Sequence, residues 1–169
     1  MVRAIVITGS PGAGKSTVLE ALTGLLGNDG VPHAAFESEQ LAAGHPWLPE
    51  EQAYEVLAVT CRALRDKGRT LFIVVGTTET DAHIEGITNA IGADETTVVC
   101  LTAAADTAAR RVFEREPPEW HGRDALVAHS RVLAKQIPAL RGIDLHVATD
   151  GRHPREVAQE IRAKALEGL

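Results

Sequence analysis

The apolar run "AIVIT" at positions 4–8 stops against "GSPGAGKST", and Val18, Leu19, Leu22, Leu25 and Leu26 then recur at helical spacing. A β-branched run without alternation reads as a strand buried on both faces. The later pattern reads as an amphipathic helix that stops at Gly27-Asn28. Between the two, Gly9, Gly12 and Gly14 free the backbone to curl, and the spacing Gly9-x-x-x-x-Gly14-Lys15-Ser16 is that of a Walker A phosphate-binding loop. Such a loop turns successive N–H groups, including those of the helix N-terminus, toward an anion. Ser10 and Ala13 complete its backbone. Lys15 reaches the β- and γ-phosphates of a bound nucleotide, Ser16 ligates Mg²⁺, and Thr17 adds a phosphate contact. A glycine-rich turn without a ligand would leave Lys15 as an ill-placed charge at the start of a helix.

The remainder of the chain repeats the alternation. "HAAFE" (33–37), "TLFIVV" (70–75), "TTVVCL" (96–101) and "DLHVA" (144–148) are predicted strands. Helices are predicted over 49–67, 81–91, 103–116, 123–136 and from Pro154 onward. In the longest, Tyr54, Leu57, Cys61 and Leu64 form the apolar stripe. Glu50-Glu51 suit its positive end, Arg62, Arg65 and Lys67 suit its negative end, and Gly68 closes it. Strands alternating with helices predict an α/β fold: three layers around a central parallel sheet of about five strands, in a single domain over 1–169. Ligands of such sheets bind at the carboxyl ends of the strands.

Composition narrows the classes. The net charge of −6 argues against a broad nucleic-acid surface, and no apolar stretch approaches the ~20 residues of a membrane helix, so a cytoplasmic location is expected. Cys61 and Cys100 sit inside apolar-periodic segments and read as reduced, buried thiols. The seven histidines show no zinc-ligand spacing, and there is no Gly-x-Ser-x-Gly elbow.

The loop also lacks the partners of other phosphate-loop classes. There is no Asp-x-x-Gly with Asn-Lys-x-Asp, as in switch GTPases, and the strand "LFIVV" ends in "GTTET" rather than in Asp-Glu. The missing acid is expected in "AFESEQL". There Glu37 and Glu39 follow a strand end, so one carboxylate can face Mg²⁺ and the other an acceptor hydroxyl. With these features the whole chain resembles the small-molecule kinases of the P-loop NTPase superfamily, in the group of shikimate, gluconate, adenylylsulfate and chloramphenicol kinases. Several of those families carry Asp-x-Asp where this chain has Glu-Ser-Glu, and the longer side chains suit a water-mediated metal contact.

The resemblance implies transfer of the γ-phosphoryl group of Mg·ATP to a small-molecule acceptor, with Glu37 as the catalytic and metal-side carboxylate and Glu39 on the acceptor. It implies a helical lid around 108–124, whose Arg110, Arg111 and Arg115 neutralise phosphate charge. Arg110 and Arg111 are the leading candidates and Arg123 is a weaker one. The spacing of Arg111 and Arg115 puts both on one helix face. It also implies an adenine-bordering loop at Gly151, Arg152, His153 and Pro154. The acceptor region falls on 38–52 and 76–80, with Trp47, Thr77 and Thr78 as candidate contacts and His45 as a weaker one. Trp120 reads as a packing anchor. The rival readings are a nucleotide-binding sensor or interaction module, which the Glu-Ser-Glu departure favours, and a nucleic-acid end kinase, which the acidic charge disfavours.

Overall fold

In the computed structural model, which describes residues 1–166, "AIVIT" lies at the centre of a five-stranded, all-parallel sheet. The strands are β1 (Arg3–Thr8), β2 (His33–Glu37), β3 (Leu71–Val75), β4 (Glu95–Thr102) and β5 (Leu145–Ala148), in the order β2-β3-β1-β4-β5. Ile5 pairs with Ile73 on one side and Thr97 on the other, and residues 4–8 are all buried. Both faces of β1 are covered, which is why its sequence does not alternate.

Among the described residues seven helices cover the sheet: α1 (Lys15–Asn28), α2 (Ser38–Ala42), α3 (Glu50–Arg65), α4 (Asp81–Ile91), α5 (Ala105–Arg115), α6 (Arg123–Gln136) and α7 (Pro154–Ala165). On one face Ile5, Ile7, Ile73 and Val147 pack against Val18, Leu22 and Leu26 of α1 and Val157 and Ile161 of α7. On the other, Val6, Phe72 and Val74 pack against Leu57 and Cys61 of α3 and Ile84, Ile87 and Ile91 of α4. Leu133 of α6 and Ile137 close over Cys100 beside that layer. This is the expected three-layer arrangement. Cys61 and Cys100 are free and buried, and burial pushes both thiols up to about 11, so neither is a ready thiolate at neutral pH. Among the described residues no helix is long and apolar enough to cross a membrane.

Two features differ from the sequence expectation. Residues 38–42, for which no element is predicted, form the short helix α2, and Ile137–Ala139 form a 3₁₀ turn. Elements this short carry too few residues to show a period. The long helix begins at Glu50, with Pro49 capping it from outside.

The packing of α3 on α4 rests on a missing side chain. A Cβ at Gly86 would lie inside contact distance of the Tyr54 ring. Gly86→Ala should therefore destabilise the fold by about 1 kcal/mol in urea unfolding, although alanine is the better helix former by roughly that amount, because overpacking costs about 1–3 kcal/mol. Combining it with Tyr54→Leu should restore stability toward that of Tyr54→Leu alone. A more stable Gly86→Ala single variant would contradict the packing.

Candidate functional site

The carboxyl ends of all five strands face one edge, and the loop after β1 lies at its middle. The amide N–H of Ala13 donates to the carbonyl of Ser10 (3.0 Å), and Gly12 and Gly14 hold left-handed φ values of 81° and 94°. Gly12 is required twice over, since a Cβ there would run into the carbonyl oxygen of Ala108 in α5. Gly14 caps α1 without a side chain and no acid stands in the first turn, so the leading N–H groups remain open to an incoming anion.

Lys15 turns its ammonium back onto the loop. Nζ donates to the carbonyls of Gly9 (2.8 Å) and Ser10 (3.1 Å). Burial lowers its pKa to about 8; Glu39 opposes that shift, Arg115 adds to it, and Glu37 opposes it more weakly. A poly-anion at the loop would supply the charge partner that this ammonium lacks. Arg111 fastens the other side. Its Nη1 donates to the carbonyl of Gly12 (3.2 Å) and to Thr149 Oγ1 (3.4 Å), and its Nη2 lies 3.7 Å from Asp150. Ser130 of α6 is buried and donates to the carbonyl of Pro11 (2.8 Å). Two helices are thus tied to the loop by side chains. Ser130 was not legible as a site residue, being one small polar residue within a long amphipathic helix.

Two adjoining pockets follow from this arrangement. One, of about 250 Å³, is lined by Gly12, Gly14, Lys15, Ser16, Thr17, Arg111 and Arg115. The next, of about 230 Å³, shares Gly14, Thr17 and Arg111 with it and continues to Ala13, Thr149, Arg152 and Pro154. Arg152 is held there by the carbonyl of Ala148 (3.0 Å) and Glu160 (2.7 Å). Hydrogen bonds from Lys164 and Arg152 pull the Glu160 carboxyl below its ordinary value. His153 caps α7, with Glu156 completing the capping box. Loop glycines, three cations and open helix donors suit phosphate oxygens. The second pocket, walled by Pro154, Val157 and the Arg152 guanidinium, suits a flat base. Ser16 is the hydroxyl available to Mg²⁺. Among the described residues no group of three or more His, Cys, Asp and Glu side chains is placed to hold a metal ion, and a Mg²⁺ ion that keeps most of its waters needs none.

Across the loop, a third pocket of about 260 Å³ includes Ser38, Glu39, Trp47, Glu50, Tyr54, Thr77 and His83 in its lining. Glu39 accepts the backbone N–H of Thr77 (2.6 Å), and Ser38 donates to the carbonyl of Val75 (3.2 Å). Glu37 lines none of these three pockets. Ala35 packs in the α1–α7 layer and Phe36 in the α3–α4 layer, so strand alternation turns Glu37 toward α1.

The structure places several of the expected residues away from the pockets. Arg110 is exposed and lies outside the cationic pocket, where Arg115 stands instead. The buried face of α5 is Ala108, Ala109 and Val112, and Arg110 sits about 200° around the helix from Ala108. Thr78 is fully buried. Its hydroxyl shares a 2.7 Å hydrogen bond with that of Thr8 and its N–H donates to Thr8 Oγ1 (3.1 Å), so it braces β1 rather than facing an acceptor. The proposed lid over 108–124 begins with core residues, since Ala108, Ala109 and Val112 are 0% exposed, and only the exposed connection around 116–122 stands free of that packing. Trp120 is 45% exposed and lies over Gly122. Arg123 stacks on Phe113, 4.2 Å from the ring centre, and does not enter the pockets. Glu50, Tyr54 and His83 were not foreseen. They meet in one pocket from α3 and α4, which no sequence spacing announces.

No protein-family model and no curated protein matches the sequence. Solved structures do match. A sugar kinase from a Janibacter species, in unliganded form, is 16% identical, with a TM-score of 0.70 over 99% of this chain and 95% of that one. Adenylylsulfate kinase from Mycobacterium tuberculosis, in complex with an ATP analogue and adenylylsulfate, is 19% identical, with a TM-score of 0.61 over 96% of each chain. Shikimate kinase from Acinetobacter baumannii, in complex with shikimate, is 19% identical, with a TM-score of 0.57 over 100% of this chain and 96% of that one. At these identities the likeness is one of fold, and the chain has the fold of the P-loop small-molecule kinases.

The loop geometry separates two glycines. Gly12→Ala places a methyl group against the Ala108 carbonyl as well as straining φ, whereas a Cβ at Gly14 meets nothing within 4 Å. Gly14→Ala should cost about 1–2 kcal/mol, the left-handed penalty alone, and Gly12→Ala at least ~1 kcal/mol more in denaturant unfolding. Equal losses would mean that α5 does not press on the loop.

Proposed function

We propose that the chain is a kinase that transfers the γ-phosphoryl group of Mg·ATP to a hydroxyl of a small-molecule acceptor. The observation that carries this reading is the position of Glu39. It belongs to the third pocket, yet it is the carboxylate that acts most on the Lys15 ammonium, so a phosphate-shaped site and an acceptor-shaped site meet at one residue. The fold shared with small-molecule kinases supports the same reading.

In this reading the loop N–H groups and Lys15 hold the β- and γ-phosphates, and the base lies against Pro154 and Arg152. Ser16 would be the hydroxyl that holds a Mg²⁺ ion, whose charge would offset that of the phosphates, and Glu37, outside the pockets, could act on it only through water. Glu39 orients the acceptor hydroxyl and takes its proton, so the base role falls to Glu39 rather than Glu37. Arg111 and Arg115 present fixed positive forks to the transferring group, the main contribution a protein makes to this chemistry. The exposed 116–122 connection is the piece available to close over the phosphates and exclude water.

Two measurements test the reading. A triphosphate at the loop should restore the Lys15 charge, so at pH 8 binding should take up about half a proton, since the free ammonium titrates near 8. Affinity should then fall as pH rises above 8, because the free enzyme loses the charge that the complex needs. Calorimetry in buffers of different ionisation enthalpy reads the uptake, and Lys15→Ala should abolish it together with most of the affinity. Zero uptake in the wild type would refute the Lys15 assignment. With an acceptor found by ADP-release screening, Glu39→Gln and Arg115→Ala should each lower kcat by roughly 10²-fold or more, on the scale of general-base and phosphate-clamp losses. Arg110→Ala should stay near wild type. Nucleotide binding without acceptor-dependent ADP release across such a panel would favour a sensor.

A further inference from the structure

We infer that the acceptor of the third pocket carries no anionic group: it is a hydroxyl compound with an apolar or aromatic body, bearing a basic amine or no charge. The inference rests on the kinase reading for the word acceptor, but the pocket's selectivity is a property of its own walls.

Among the described residues that line the pocket there is no lysine or arginine, while Glu39 and Glu50 both do so. Both ring nitrogens of His83 are already engaged: Nδ1 accepts the Glu79 backbone N–H at 3.2 Å and Nε2 lies 2.8 Å from Glu50. Two carboxylates face the space with no lysine or arginine beside them in the lining. Tyr54 agrees with this field. Burial, and then the neighbouring Glu50 carboxylate, push its phenol up to about 12. The cations nearby, Lys15, Arg111 and Arg115, line the loop pocket, where a triphosphate would occupy them.

A carboxylate or phosphate placed here would meet like charge, which costs an interface several kcal/mol, and would find no guanidinium fork. An ammonium or a neutral hydroxyl would find acceptors in Glu39 and Glu50. Apart from Ser38 and Thr77, the rest of the lining is apolar or aromatic. Leu48, Leu57 and Ile87 form walls with the Tyr54 ring, and Trp47, 61% exposed, leaves an indole at the rim free to cover a flat ligand.

The test uses three probes that share a benzyl group and a hydroxyl and differ in charge: phenylalaninol (cationic), 3-phenylpropane-1,2-diol (neutral) and 3-phenyllactate (anionic). The chain has two tryptophans, so Trp120→Phe leaves Trp47 as the sole indole reporter. Fluorescence titration without nucleotide should show phenylalaninol and the diol binding at least ~10-fold more tightly than phenyllactate, with rising salt narrowing the gap between cation and anion. Glu50→Gln should shrink that gap, and Glu50→Lys should reverse the order of amine and carboxylate. Phenyllactate binding as tightly as the amine, or no response of Trp47 to any probe at tens of millimolar, would overturn the inference. Neither outcome bears on phosphotransfer, which is tested by the Lys15 titration with ATP together with acceptor-dependent ADP release.

Discussion

A buried ammonium held by two carbonyls of its own loop is the constraint around which the site is arranged. Desolvating Lys15 is costly, and the hydrogen bonds to Gly9 and Ser10 offset only part of that cost, as the depressed pKa of about 8 records. Those carbonyls can turn inward only because the loop curls, and the curl needs left-handed backbone at Gly12 and Gly14. The curled loop is in turn clamped from outside. Arg111 holds the Gly12 carbonyl, Ser130 holds the Pro11 carbonyl, and the α5 backbone presses on the bare Cα of Gly12. The central strand, the loop and two helices from the far half of the chain therefore form one preorganised unit, with positive charge aimed at a space that an anion can fill.

Preorganisation extends behind the loop as well. Thr8, the last residue of β1, has no exposed surface and satisfies its hydroxyl on Thr78, seventy positions away, just past the end of β3. A buried hydroxyl pair of this kind fixes the register of two strand ends against each other, because an unpaired hydroxyl there would cost about 1–3 kcal/mol. The neighbouring Thr77 is tied by its N–H to Glu39. The carboxylate proposed to handle the acceptor is thus positioned by the strand that also positions the loop, through two consecutive residues facing opposite ways.

What was legible in the sequence follows from how far apart the cooperating residues lie. The strands read correctly because burial on both faces leaves an unbroken β-branched run, and even the weak "HAAFE" matches β2 residue for residue. Helices α4 and α6 matched their expected limits. The loop was legible because the groups it presents come from consecutive backbone. Legibility failed where side chains from different elements meet. Arg115 replaces Arg110 at the pocket because the small residues Ala108 and Ala109, with Val112, choose which face of α5 turns inward. That choice was readable in principle, since two alanines before a valine at i+3 and i+4 mark a close-packed stripe. The Thr8–Thr78 pair, Ser130 on Pro11, and the meeting of Glu50, Tyr54 and His83 carry no local pattern at all.

The two sides of Glu39 therefore differ in how they are specified. The loop side is built from backbone N–H groups, glycines and permanently charged forks, which tolerate little substitution and recognise a phosphate chain whatever it is attached to. The other side is built mainly from side chains on α2, α3 and α4, with Tyr54 seated against Gly86. Trp47, Glu50 and His83, at its rim and outer wall, make no hydrogen bond to β1 or to the loop. In the proposed kinase this amounts to a division of labour: one rigid half would fix where a phosphoryl group sits, and one half of carboxylates and an aromatic rim would decide which hydroxyl is brought to it.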